Sequence, residues 1–146
     1  MYAFRGALNS NYRMPLTTIN ITEGMTEEAI DQIQSTIHSC FVKAWGIPNN
    51  GGVYMINERP KSRMRISRTM WGINRSEQPP LLLQITSSPR SKALKVELFR
   101  VLAEELEKQG VRKEDLFISI TPTQPEDWSF GNGVAQLLQE DADSRR

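Results

Sequence analysis

The sequence predicts an α+β fold: two tandem β-α-β units forming one four-stranded sheet with two helices on one face. Three observations carry that expectation. Two segments pair a helix-capping residue with apolar residues at helical spacing: Thr26 before Ala29, Ile30, Ile33, Ile37, Phe41 and Ala44, and Ser91 before Leu94, Leu98, Leu102 and Leu106. Short strand-like runs stand on either side of each. The pattern also repeats, since a shift of 65 positions carries Thr26 onto Ser91, Pro15-Leu16 onto Pro80-Leu81, and Val53 and Met55 onto Ile118 and Ile120. Parallel strands joined through a helix require a right-handed crossover, and two such units make the four-stranded sheet.

The elements follow in order. Residues 1–14, with two arginines and no acid before Met14, read as an N-terminal arm, either a short transit-like segment or the product of a start codon placed ahead of Met14. LTTINI (16–21) is the first strand, closed by a turn at Glu23-Gly24. Glu27 and Glu28 occupy the first turn of the first helix, where the helix dipole favours acids, and Gly46 before Pro48 ends it. Val53 and Met55 mark the second strand. LLLQIT (81–86) opens the second unit, although its apolar residues sit in a different register from those of LTTINI.

Between the units, Arg59, Lys61, Arg63, Arg65, Arg68 and Arg75 form a basic stretch. Its alternation of Arg63, Met64, Arg65 and Ile66 fits a short strand or hairpin arm with one wet face. Leu83, Ile85, Ile118 and Ile120 are expected to divide between the two faces of the sheet. One apolar face would then remain uncovered, and oligomer formation is the simplest cover. The folded domain spans 15–138, and the polar segment 139–146 is a disordered tail.

A length of 146 residues predicts one domain, burying roughly two-thirds of the surface its unfolded chain exposes. Cys40 is the single cysteine, so no internal disulfide forms, and with the single His38 it cannot make a Cys/His zinc site. No apolar run reaches the roughly 20 residues of a membrane span. With 18 basic and 17 acidic residues the net charge is +1, which gives no global pull toward nucleic acid or membrane. A β-α-β-β-α-β order is shared with RNA-binding sheets, but those stack bases on aromatics of their central strands, and LTTINI and LLLQIT have none. The chain is expected to be cytoplasmic.

Two local features point to chemistry. In SSPRS (87–91), Arg90 directly precedes the cap of the second helix, whose free amides favour anions, so it suits a carboxylate or phosphate. In EDWSFGNGVAQLL (126–138), Trp128 and Phe130 are two apart and project from one side of an extended segment. They are either a core pair or an apolar wall beside a reactive group. His38 reads as a helix-flank histidine and Cys40 as a small core residue.

The Met14-Pro15-Leu16 start, the Glu23-Gly24 turn, the SPRS turn and above all DWSFGNGVAQLL resemble the tautomerase superfamily, specifically its malonate semialdehyde decarboxylase-like group. The resemblance runs from Met14 to about Leu138 and implies a homotrimer of duplicated β-α-β chains. It implies that Pro15, as a free amino-terminal proline, moves the proton, that Arg90 holds the substrate carboxylate, and that Trp128 and Phe130 form the apolar wall. No cofactor and no metal are implied. The chain departs from the group at two positions. Ser88 stands where the decarboxylases have a second arginine, and Gly51 falls where they have an aspartate.

The expected activity is keto-enol tautomerisation of a small 2-oxo or enol carboxylic acid. Two alternatives stay open: a non-catalytic trimeric binding protein with an eroded site, and a malonate-semialdehyde-type decarboxylase or hydratase with a rearranged site.

Overall fold

The computed structural model describes residues 15–139. The expected arm, and all of the expected tail except Gln139, lie outside the described residues. The elements are β1 (Leu16–Thr22), α1 (Glu27–Trp45), β2 (Val53–Arg59), β3 (Leu81–Ser87), α2 (Lys92–Glu107) and β4 (Leu116–Pro122). They form one sheet in the order β2-β1-β3-β4. The β1/β2 and β3/β4 pairs are parallel and β1/β3 is antiparallel, so each unit is a crossover and the two units meet back to front.

Both helices start where the cap residues place them. The Thr26 hydroxyl accepts from the Ala29 amide at 3.1 Å, and the Ser91 hydroxyl from the Leu94 amide at 3.2 Å. α1 ends at Gly46, whose φ of 67° is the left-handed conformation glycine adopts without a Cβ clash, and its amide bonds the Val42 carbonyl. Thr26→Ala removes one cap acceptor. It is expected to lower stability by about 1 kcal/mol, read as a lower urea midpoint at unchanged m-value.

Ile30, Ile33, Ile37 and Phe41 of α1 and Leu98, Val101, Leu102 and Leu106 of α2 are buried against Ile19, Ile21, Leu81, Leu83 and Ile85. Fully burying each such side chain contributes roughly 1.5–3 kcal/mol. The expectation that Leu83, Ile85, Ile118 and Ile120 divide between faces is corrected by the register. Leu83 pairs with Ile118 and Ile85 with Ile120, and all four belong to the helix-side core or pack against it. Residues two apart share a face, so paired odd and even positions coincide. The 65-position shift fits the caps but not the strands. Leu16 lies on the outer face and Leu81 on the helix side, so the strands run one residue out of step in facing.

The outer face is therefore polar in its middle. Asn20 Nδ2 donates to the Leu82 carbonyl and to Gln84 Oε1, both at 3.1 Å. Part of this face is crossed by the basic segment beyond Arg59, where the strand or hairpin arm expected at 63–66 does not form. Lys61–Arg63 is a 3-10 turn after Pro60, Arg65 Nε donates back to the Ser62 carbonyl at 3.1 Å, and Arg63–Ile66 share a hollow with Asn20, Leu82 and Gln84. The donors serve a local turn where a hairpin would need a ladder. Further along, the Arg75 guanidinium stands 5.7 Å from the Phe117 ring, and the buried Asp115 carboxylate accepts from the Ser76 amide and hydroxyl.

Cys40 is 1% exposed, and burial pushes its thiol up to about 11, with Glu105 adding to the effect. The unfolded thiol ionises near 9, so between about pH 9 and 11 the unfolded state binds fewer protons than the native one. Stability should fall as pH rises through that window, by an amount on the order of 2 kcal/mol. The Tyr54 hydroxyl, raised first by burial, acts in the same direction. Urea midpoints between pH 8 and 10.5 should decline, with a shallower slope in Cys40→Ala.

Candidate active site

The topology gathers one end of the sheet around Pro15. Pro15 precedes β1 and is fully buried, and its carbonyl accepts from the Val53 amide at 3.1 Å, tying it to the start of β2. Because β1 and β3 are antiparallel, with Leu16 opposite Thr86, the start of β1 meets the end of β3. There Ser87 is fully buried, and its hydroxyl donates to the Ser88 carbonyl at 3.1 Å. The SSPRS turn thus leaves the sheet beside Pro15, with Ser88 half-buried.

The same turn reaches the aromatic pair. The Ser87 carbonyl accepts from the Thr123 amide at 2.9 Å, and the Thr123 hydroxyl accepts from Trp128 Nε1 at 2.6 Å. Trp128 and Phe130 stack with centroids 5.8 Å apart and planes 30° from parallel. Trp128 is half-buried and Phe130 is 38% exposed, so the pair is a wall with an open side. Gln136 holds its far end, accepting from the Phe130 amide and donating to the Gly131 carbonyl, both at 2.9 Å.

Arg90 stands immediately before the α2 cap, as its spacing requires, and its guanidinium lies 4.7 Å over the Trp45 ring. Trp45 is the last residue of α1 and is itself fixed, donating from Nε1 to the Leu94 carbonyl at 3.0 Å. A cation held over an indole face keeps its charge and gains order. Trp45→Leu is therefore expected to weaken anion binding at Arg90 several-fold with little loss of helix content, checked by titration of a small carboxylate against circular dichroism controls.

His38 joins the β2 entrance to this end. Its Nε2 lies 2.8 Å from the Asn49 carbonyl and its Nδ1 2.6 Å from the Tyr54 hydroxyl. A carbonyl only accepts, so Nε2 donates to it, and in the neutral ring the Tyr54 hydroxyl donates to Nδ1. Between them, Gly52 takes φ of +89°, and a Cβ there would meet the Tyr54 hydroxyl at 2.9 Å. The loop after α1 has no room for a side chain at Gly52, and Gly51 next to it is buried with its amide on the Pro48 carbonyl at 2.9 Å.

Residues 52–131 match the family model for a tautomerase enzyme, which is more than half of the chain. The probable tautomerase YrdN of Bacillus subtilis (strain 168) is 33% identical over 126 residues, covering 86% of this chain and 97% of the relative. The chain belongs to the tautomerase family. The probable tautomerase YusQ of the same organism is 29% identical over 127 residues, covering 86% of this chain and all of that relative. Among solved structures, malonate semialdehyde decarboxylase superposes with a TM-score of 0.79 at 29% identity, covering 86% of this chain and 98% of the other. A fused 4-OT trimer shares the fold alone, at a TM-score of 0.70 and 17% identity.

For this tautomerase-family chain, sequence reading singled out Pro15, Arg90, Trp128 and Phe130 and missed Trp45, Thr123 and the His38–Tyr54 pair. Trp45 closes the apolar stripe of α1 one residue after Ala44, so an aromatic at a helix end was its signal. Nothing in the spacing links His38 to Tyr54. Among the described residues, no group of three or more His, Cys, Asp and Glu is placed to hold a metal, and no helix is long and apolar enough to cross a membrane.

Proposed function

We propose that the chain catalyses proton transfer between the keto and enol forms of a small 2-oxo carboxylic acid, with Pro15 as the amino-terminal residue of the working enzyme. The observation that carries this reading is the convergence at one sheet end of Pro15, the turn bearing Arg90, and the Trp128–Phe130 wall. A free prolyl amine is a secondary amine able to give or take a proton near neutral pH, as burial and neighbouring cations set its affinity.

In the ketonisation direction, protonated Pro15 delivers its proton to C3 of the enol. The C=C pair becomes the new C–H bond, the O–H pair becomes the carbonyl, and the hydroxyl proton leaves to solvent or to the amine. Arg90 holds the carboxylate and Trp128 with Phe130 excludes water. No step needs a cofactor. Support also comes from relatives described as probable tautomerases. The structurally similar malonate semialdehyde decarboxylase, studied with its first-residue proline replaced by alanine, is described with decarboxylase and hydratase activities.

Decarboxylation is the weaker reading for this chain. Ser88 supplies no second cation, and Gly51 and Gly52 supply no carboxylate. Losing one charge-assisted contact to a carboxylate costs on the order of 1.5–3 kcal/mol, one to two powers of ten in affinity. Enol-to-keto proton transfer needs the amine and one anion anchor. A homotrimer, placing the open side of the Trp128–Phe130 wall against a second copy, completes the proposal.

The test follows enol absorbance of phenylenolpyruvate with a chain that begins at Pro15. Ketonisation above the buffer rate, absent in Pro15→Ala, is expected. Equal rates in the two proteins would reject the reading. Saturable binding of 2-oxo acids to Trp128, by fluorescence and without turnover, would instead establish the binding-protein alternative. Carbon dioxide release from malonate semialdehyde would establish the decarboxylase.

A further inference from the structure

The duplicated architecture makes a second sheet end, opposite Pro15, from parts that correspond in chain order though not in the facing of their strands. Pro80-Leu81 opens β3 as Pro15-Leu16 opens β1. The end of β1 at Thr22 replaces the end of β3 at Ser87, and the chain leaving α2 replaces the chain leaving α1. A cavity of about 330 Å³ lies there, bordered by Ile21, Thr22, Met25, Ile33 and Pro80 together with the segment after α2. That volume lies at the small end of the range of small-molecule sites.

Two observations say what it takes. Thr22 is only 9% exposed, lines the cavity, and its hydroxyl has no hydrogen-bond partner among the described residues. A buried hydroxyl left unpaired is costly, so a ligand that pairs with it is favoured. The residue before the helix cap is the second. At the Pro15 end it is Arg90, before Ser91; at this end it is Met25, before Thr26. The anion anchor has been replaced by a thioether, which packs well on aromatic rings.

The bordering charges agree. Glu23 and Asp115 bring two carboxylates, Asp115 being engaged by Ser76, while Arg112 is paired through Nε with Glu114 at 3.3 Å. A carboxylate ligand is repelled where the other sheet end would attract one. Pro80 follows Pro79, so its nitrogen is a tertiary amide with no proton to give or take.

We propose that this cavity is a second, non-catalytic site for an uncharged single-ring molecule bearing one hydroxyl or carbonyl oxygen, which bonds the Thr22 hydroxyl. The two ends of the duplicated sheet thereby sort ligands by charge. The site stands independently of the activity assigned to Pro15, and the contrast in charge between the two ends rests on Arg90 as the anion anchor proposed above.

The test titrates acetophenone and, in parallel, benzoate into the full chain with 13C-labelled isoleucine δ1 methyls. Acetophenone is expected to shift the Ile21 and Ile33 methyls saturably, with a Kd on the order of 1 mM, as a ligand of that few atoms allows. Benzoate is expected to bind at least tenfold more weakly. Thr22→Val should weaken acetophenone about three- to tenfold, the worth of one hydrogen bond. Met25→Trp, which fills the cavity from a partly exposed position, should abolish the shifts. Absence of saturable shifts, equal binding of benzoate, or affinity unchanged in both variants overturns the proposal. So do Ile21 and Ile33 shifts that follow protein concentration in place of acetophenone, since a second copy would then cover the cavity.

Discussion

Extending the chain by even one residue before Pro15 is expected to lower kcat for ketonisation by roughly 10²- to 10⁴-fold, the usual contribution of a positioned general acid or base. The reason lies in the nitrogen. As an amino-terminal residue Pro15 has a basic lone pair; once acylated by a preceding residue, that pair is delocalised into the amide and accepts no proton at neutral pH. Pro15 is buried with its carbonyl fixed by the Val53 amide, so the extension leaves the strand in place while removing the chemistry. The comparison needs three proteins: a chain starting at Pro15, one starting with a retained residue before Pro15, and Pro15→Ala. Enol absorbance should decay rapidly only with the first. If the extended chain matched it, Pro15 would be a strand-start residue and the proton would move elsewhere.

Arg90→Ala is the second large effect. Removal of the cation should raise KM for a 2-oxo carboxylate by about one to two powers of ten and change kcat less, because the contact exists in both ground and transition states. Arg90 lies over Trp45 in a fixed place, so a lysine, whose point charge lacks the planar stacking fork, should restore only part of the loss. An enol substrate of the same shape lacking the carboxylate should be turned over equally slowly by both proteins. An unchanged KM for the carboxylate in Arg90→Ala would remove Arg90 from the substrate site. Helix content must be unaltered, since Arg90 also precedes the α2 cap.

Much of this was legible from local rules. Thr26, Ser91 and Gly46 set the helix boundaries because capping depends on a few adjacent residues, and these stand as their chemistry requires. The apolar stripes of both helices and the four strands follow from periodicity in the same way. Local rules failed where a contact joins distant segments. The basic stretch after β2 alternates like a strand, yet Arg75 reaches Phe117 on β4, so the segment lies over the outer face. Counting positions without a register divided Leu83, Ile85, Ile118 and Ile120 between faces, and pairing places them together.

By itself the sequence determined the β-α-β duplication, its capped helices, and Arg90, Trp128 and Phe130 as residues worth placing, because those signals are carried by spacing over a few turns of chain. Pro15 was singled out only by the resemblance of its Met14-Pro15-Leu16 start to the tautomerases. Only the tertiary structure decided their company. The antiparallel meeting of β1 and β3 sets the start of one unit against the end of the other, and residues more than sixty positions apart then share one sheet end. Trp45 under Arg90 joins the two units across that meeting, Thr123 between Ser87 and Trp128 extends the parallel pairing of β3 with β4, and His38 against Tyr54 packs α1 on β2; no local periodicity encodes any of these contacts.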